Sequence, residues 1–174
     1  MVKVLQQAPE FEAPAVAGKG EFQEVSLSRL RGQWVVLFFY PLDFTFVCPT
    51  EVVEFSKRNN EFRALGAQVL GCSVDSRYSH RAWIERDLGG QIAFPLLSDF
   101  SREIARSYGA LLEPQGFATR ATFVIDPEGV VQYAAFHNTR VGRSVSEVLR
   151  VLEALQTGDN CPVEWRKGEQ TLGR

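Results

Sequence analysis

The chain has 174 residues, of which 45% are hydrophobic and 23% charged. That length suits one domain with a substantial core, and the composition excludes disorder, collagen-like repeats and a disulfide miniprotein. Lys plus Arg number 19 and Asp plus Glu 21, a net charge of −2, so there is no electrostatic footprint for nucleic acid or an anionic membrane.

The opening ten residues, Met1 to Glu10, carry one lysine and no sustained apolar run. They do not compose a signal peptide, so the expected location is the cytoplasm, where thiols stay reduced. No apolar stretch approaches the roughly twenty residues of a membrane-spanning helix. Residues 8–32, with Pro9, Pro14, Gly18, Gly20 and Gly32, read as loop-rich. Residues 33–40 form a continuous apolar, β-branched and aromatic run, the pattern of a strand buried on both faces. After Pro41 to Pro49, Val52, Phe55, Phe62 and Leu65 recur at helical spacing, and Gly66 is a C-cap candidate.

A second buried strand is predicted over Ala67–Asp75, and short helices over 78–88 and 100–108. Ala121–Ile125 reads as a third strand. Asp126-Pro127-Glu128-Gly129 is a turn, and Val130–Phe136 returns as a hairpin partner. Ser144 and Glu147 have capping-box spacing and open a helix whose Val145, Val148, Leu149, Leu152 and Leu155 share one face. The tail from Thr157 is polar and contains Gly158, Pro162, Gly168 and Gly173. The expected fold is α/β and thioredoxin-like: a mixed central β-sheet flanked by helices. A single domain is expected over 1–174, with its core in 1–157 and a tail extension over 158–174.

Of the three cysteines, Cys48 precedes Pro49 at the junction of a buried strand and a helix. Proline suits a first helical turn. Cys48 then meets free backbone N–H groups and the positive end of the helix dipole, which stabilise the nucleophilic thiolate. The bland alternative is a small core residue. Cys72, inside a strand, keeps that bland reading. Read alone, Thr45 is a turn hydroxyl and Arg120 a surface charge. His80 and His137 lack ligand-spaced partners and read as structural histidines, so no metal site is predicted. No nucleotide-binding glycine motif occurs and no cofactor is predicted. The absence of a C-x-x-C pair argues against a thioredoxin-type reductase.

The run Phe39-Tyr40-Pro41-Leu42-Asp43-Phe44-Thr45-Phe46-Val47-Cys48-Pro49-Thr50-Glu51 resembles the active-site loop of peroxiredoxins. The resemblance continues through Ser73-Val74-Asp75-Ser76, Phe94–Asp99, Arg120–Asp126 and Val141–Val145 to Cys161-Pro162-Val163-Glu164-Trp165. It is strongest to the typical two-cysteine class, which includes the peroxidase component of alkyl hydroperoxide reductase. It implies that Cys48 is the peroxidatic cysteine, that Thr45 and Arg120 hold the peroxide, and that Pro41 shields the thiolate. Glu51 and Arg143 match an acid–arginine supporting network, and Trp83 matches a position read here as packing. Cys161 is implied to be the resolving cysteine, supplied by the partner subunit of a homodimer.

The implied activity is reduction of hydrogen peroxide and organic hydroperoxides. The reductant is thioredoxin or a flavoprotein disulfide reductase, and the implied assembly is a decamer of five dimers. Two rivals stay open: a one-cysteine peroxidase with an idle Cys161, and a redox-sensing or holdase assembly. The chain lacks the Gly-Gly-Leu-Gly insertion and the C-terminal Tyr-Phe element of oxidation-sensitive members, so resistance to overoxidation is expected.

Overall fold

The computed structural model describes residues 2–174 as two compact units, the first ending at Arg143 and the second spanning Ser144–Arg174. In the first unit a seven-stranded sheet carries the architecture. Its strands are β1 (Glu12–Gly18), β2 (Glu21–Ser26), β3 (Trp34–Phe39), β4 (Ala67–Ser73), β5 (Ile92–Ser98), and, later in the chain, β8 (Arg120–Ile125) and β9 (Val131–His137). A separate two-residue pairing joins β6 (Leu111–Leu112) to β7 (Phe117–Ala118). The order across the large sheet is β2-β1-β5-β4-β3-β8-β9. β3, β4 and β5 run parallel, and the remaining neighbours are antiparallel. The sheet is therefore mixed and the fold thioredoxin-like.

The central strands behave as their apolar runs predict. Along β3 the side chains alternate. Val35, Leu37 and Phe39 enter one buried cluster with Leu70, Cys72, Tyr108 and Phe123. On the other face Phe38 stacks on Phe55 at 4.4 Å and meets Phe94 edge-on at 5.6 Å. Full burial of each such side chain is worth about 1.5–3 kcal/mol, which commits β3 to the middle of the sheet.

Helices α1 (Cys48–Lys57), α2 (Asn59–Ala64), α3 (Arg77–Asp87) and α4 (Glu103–Ser107) connect the strands. The helix expected after Pro49 is thus two helices, broken at Arg58, whose backbone leaves helical geometry at φ −95°, ψ 8°. The helix expected over 100–108 shortens to five residues because Arg102 takes a left-handed backbone, φ 65°. Residues 8–32 are not simply loop. They form the β1–β2 hairpin and a 3-10 turn over Leu27–Leu30. The hairpin is hidden in the sequence because β2 is an edge strand whose first four residues are all exposed.

In the second unit, Ser144 Oγ accepts from Glu147 N–H at 3.2 Å and opens α5 (Val145–Thr157). Val145, Val148, Leu149 and Leu152 are buried, and Leu155 is half-buried. Gly158 ends α5 at φ 69°, a left-handed cap that suits glycine. No helix among the described residues is long and apolar enough to cross a membrane.

Candidate active site

Cys48 begins α1, with Pro49 and Glu51 in the first turn. Its side chain is 0% exposed. Because β3 delivers the chain to this point and α1 leaves from it, the sulfur lies at the positive end of a ten-residue helix. β8 begins at Arg120, whose Nη1 donates to Cys48 Sγ at 3.4 Å. The same nitrogen donates to Glu51 Oε2 at 2.6 Å, and Arg120 Nε donates to the Thr139 carbonyl at 2.9 Å. The guanidinium is thus held in a fixed orientation with one N–H on the sulfur.

Glu51 is the hub of a buried cluster. Its Oε1 accepts from both the backbone N–H and Nε of Arg143, each at 2.9 Å. Arg143 also donates to the Phe39 carbonyl at 2.6 Å, and to the Ala121 carbonyl and Thr122 hydroxyl at 3.0 Å. Its guanidinium lies 5.0 Å over the Phe38 ring. Burial pulls the Arg143 guanidinium below its ordinary range, and Glu51 opposes that pull. A buried charge persists only with such partners. The arrangement holds Arg120 in place by saturating the carboxylate it leans on.

Pro41 is buried, and Thr45 donates its hydroxyl to the Leu42 carbonyl at 2.8 Å, closing the loop between β3 and α1. The same loop contains a polar knot that the sequence did not reveal. Asp43 accepts from Tyr40 Oη at 2.9 Å, Ser79 Oγ at 2.8 Å and His80 Nδ1 at 2.9 Å. The Asp43 N–H donates to Asp75 Oδ2 at 2.9 Å, which also accepts from Ser73 Oγ at 2.7 Å. Burial, then the Asp43 charge, pushes the Tyr40 hydroxyl well up and raises the Asp75 carboxyl. His80 reaches the Leu97 carbonyl with its other nitrogen at 3.1 Å, so both ring nitrogens have partners. The sequence signal for the knot was only that Asp43, Asp75 and His80 sit near strand and helix ends.

Cys72 is wholly buried, and burial, reinforced by Asp99, pushes its thiol well up, so it is chemically quiet. Trp83 packs 5.7 Å from Tyr40.

Cys161 belongs to the second unit. Its Sγ sits 3.5 Å from Thr157 Oγ1 and donates to the carbonyls of Ala154, at 3.7 Å, and Asp159, at 3.8 Å. The tail around it is folded. Asn160 N–H donates to the Gly173 carbonyl at 2.9 Å, and Leu172 N–H to the Asn160 carbonyl at 2.8 Å. Trp165 is 3% exposed, and Arg150 Nη1 donates to its carbonyl at 3.1 Å. Among the described residues, no group of three or more His, Cys, Asp or Glu is placed to hold a metal ion.

Residues 4–134 match the model of the AhpC/TSA family. A Clostridium pasteurianum protein named as a peroxiredoxin in the rubredoxin operon is 52% identical over 170 residues, covering 95% of this chain and 96% of that protein. The mitochondrial thioredoxin-dependent peroxide reductase of Drosophila melanogaster is 48% identical over 172 residues, covering 94% of this chain and 73% of that protein. The crystal structure of reduced Plasmodium vivax 2-Cys peroxiredoxin superposes with a TM-score of 0.93 at 41% identity, covering 98% of this chain and 93% of that one.

Proposed function

The chain belongs to the AhpC/TSA family as a peroxiredoxin of the typical two-cysteine class, a thiol peroxidase, and from that premise we propose a reaction cycle for its own residues. The observation that carries it is the Arg120 donor on Cys48 Sγ at a helix N-terminus, backed by the Glu51–Arg143 clamp.

The Cys48 thiolate attacks one oxygen of a hydroperoxide. The O–O bond breaks, the second oxygen leaves as alkoxide or hydroxide and takes up a proton, and Cys48 becomes a sulfenic acid. Negative charge passes from sulfur to the leaving oxygen. Donors already in place lower that barrier more than donors that must reorganise. Arg120 is the donor, Thr45 lines the approach and Pro41 keeps water from the sulfur. Glu51 and Arg143 hold Arg120 in position.

The Cys161 thiol of a partner subunit then attacks the Cys48 sulfenic sulfur. A sulfur–sulfur bond forms, water leaves, and the two chains are joined. An external dithiol takes the disulfide and restores two thiols. The name of the Drosophila relative favours thioredoxin for that role. The working unit is a homodimer, and the resemblance suggests five dimers in a ring. Substrates are hydrogen peroxide and organic hydroperoxides, and the expected compartment is the cytoplasm. Lacking the Gly-Gly-Leu-Gly insertion, the enzyme resists overoxidation.

The test is a non-reducing gel after about one equivalent of hydrogen peroxide, with wild type, Cys48→Ser and Cys161→Ser side by side. A dimer-mass band in wild type alone supports the cycle. Peroxide consumption through Cys48 without that band would show external resolution and remove Cys161 from it. Turnover sustained by thioredoxin separates an enzyme from a one-shot sensor.

A further inference from the structure

The loop that carries Cys48 is tied down at both sides of one residue. Asp43 is fixed by Tyr40, Ser79, His80 and Asp75. Thr45 is fixed by its bond to the Leu42 carbonyl. Phe44, between them, has φ 55°. That is the left-handed region, which a bulky L-residue enters only at a cost, and one that persists where surrounding contacts enforce it. The Phe44 ring does not enforce it. It is 45% exposed, 6.4 Å from the Trp83 ring and 5.8 Å from the Arg86 guanidinium. The backbone is therefore held by its two neighbours, against its own preference, four positions before the reactive sulfur.

Cys48 Sγ is fully buried, and a disulfide needs Cα atoms about 4.4–6.8 Å apart. The sulfur must leave its pocket before another chain's thiol can reach it, so the first turn of α1 and its loop have to open. Once open, Phe44 returns to negative φ and its strain is released. We propose that Phe44 is a positioning residue whose strained backbone favours the opened form of the Cys48 loop and speeds transfer of the sulfenic acid to Cys161. The need for opening and the transfer rest on the two-cysteine cycle proposed above; the strain does not.

Phe44→Ala and Phe44→Gly both remove the ring, but only glycine relieves the strain. Amide hydrogen exchange over 44–50 in the reduced protein reads the opening directly. Exchange should be about threefold slower in Phe44→Gly than in Phe44→Ala, the gain at positive φ exceeding glycine's extra freedom when open. After one equivalent of peroxide, disulfide formation should slow by the same factor. Sulfinic acid on Cys48 should rise, and the first reaction with peroxide should not differ between the two. Equal exchange, or faster exchange in Phe44→Gly, overturns the proposal. If exchange differs as stated but wild type forms no Cys48–Cys161 disulfide, the two-cysteine cycle fails and the strained link stands. Should the alanine protein not fold, Phe44→Asn against Phe44→Leu repeats the contrast, because asparagine tolerates the left-handed region.

Discussion

Cys48 and Cys161 sit at opposite electrical ends of their helices. Cys48 opens α1, beside an arginine donor, with a buried carboxylate holding that arginine. Cys161 follows the end of α5, where its S–H meets a hydroxyl and two carbonyl oxygens. A helix N-terminus stabilises an anion, whereas a C-terminus favours cations and offers carbonyl oxygens as hydrogen-bond acceptors. One sulfur accepts from an arginine and the other donates to carbonyl oxygens. The supports differ in the same sense. Around Cys48 they are buried side-chain ions linking β3, α1, β8 and the segment before α5. Around Cys161 they are backbone bonds between two stretches of tail and side-chain bonds donated by the neutral Asn160 and Thr171, with Trp165 as the buried anchor.

The sharpest break of that contrast is Glu51→Ala. It leaves two buried guanidinium groups without their carboxylate, and removing one partner of a buried ion pair costs about 3–5 kcal/mol. Urea unfolding should report that loss for the whole first unit. An effect below about 1 kcal/mol would mean that Glu51 is not the hub. Arg120→Met should come next. It should slow peroxide attack by about 10²–10³-fold, as loss of one preorganised donor does elsewhere, with the rate read by stopped-flow oxidation of Cys48.

Trp165→Ala removes the buried anchor of the other region, and the expected outcome is local. Hydrogen exchange over 159–173 should rise at least about tenfold while the melting transition of the first unit stays in place. A cooperative loss of both would show that the tail is part of the main folding unit.

The smallest effect concerns pH. Burial and Asp43 raise the Asp75 carboxyl above its unfolded value. The native state thus holds that proton more tightly, and this group's contribution to stability declines as pH climbs from the unfolded range through the raised native one. It stays reduced at neutral pH. Asp75→Asn removes the titration and keeps one acceptor oxygen. The variant should therefore compare more favourably with wild type at pH 7 than at pH 4, in urea midpoints. Asp75 is partly exposed, so solvent screens the difference.

How much of this was legible depended on whether a residue's role is local. β3, β4, β8 and α5 show in the sequence because long apolar runs and a capping pair mark them directly. β5 carries no such mark, since Pro95 interrupts its apolar run. The structure places Pro95 in an irregular stretch, where pairing with β1 jumps from Val16–Leu96 to Gly18–Ile92. A proline is tolerated there because no ladder bond is asked of it. The helix start at Cys48 was legible from Pro49. Arg120, Glu51 and Arg143 carried no signal of their own, since ion pairs between distant positions leave no periodicity, and family resemblance alone singled them out. The Asp43 knot and the folded tail were not visible for the same reason. The tail is held by backbone bonds together with scattered side-chain bonds such as Thr171 to Asp159, which leave no periodicity either.

The register of β3 against β8, with Phe38 opposite Thr122, has a consequence for the newly made chain. Arg120 lies 72 positions after Cys48, and Arg143 lies 92 after Glu51. During synthesis Cys48 leaves the ribosome well before either arginine exists. Until β8 pairs with β3, Cys48 has no arginine donor beside it. The arginine donor and the buried ion cluster behind it arrive together with the long-range sheet, so the site that the finished chain carries is absent from the nascent one.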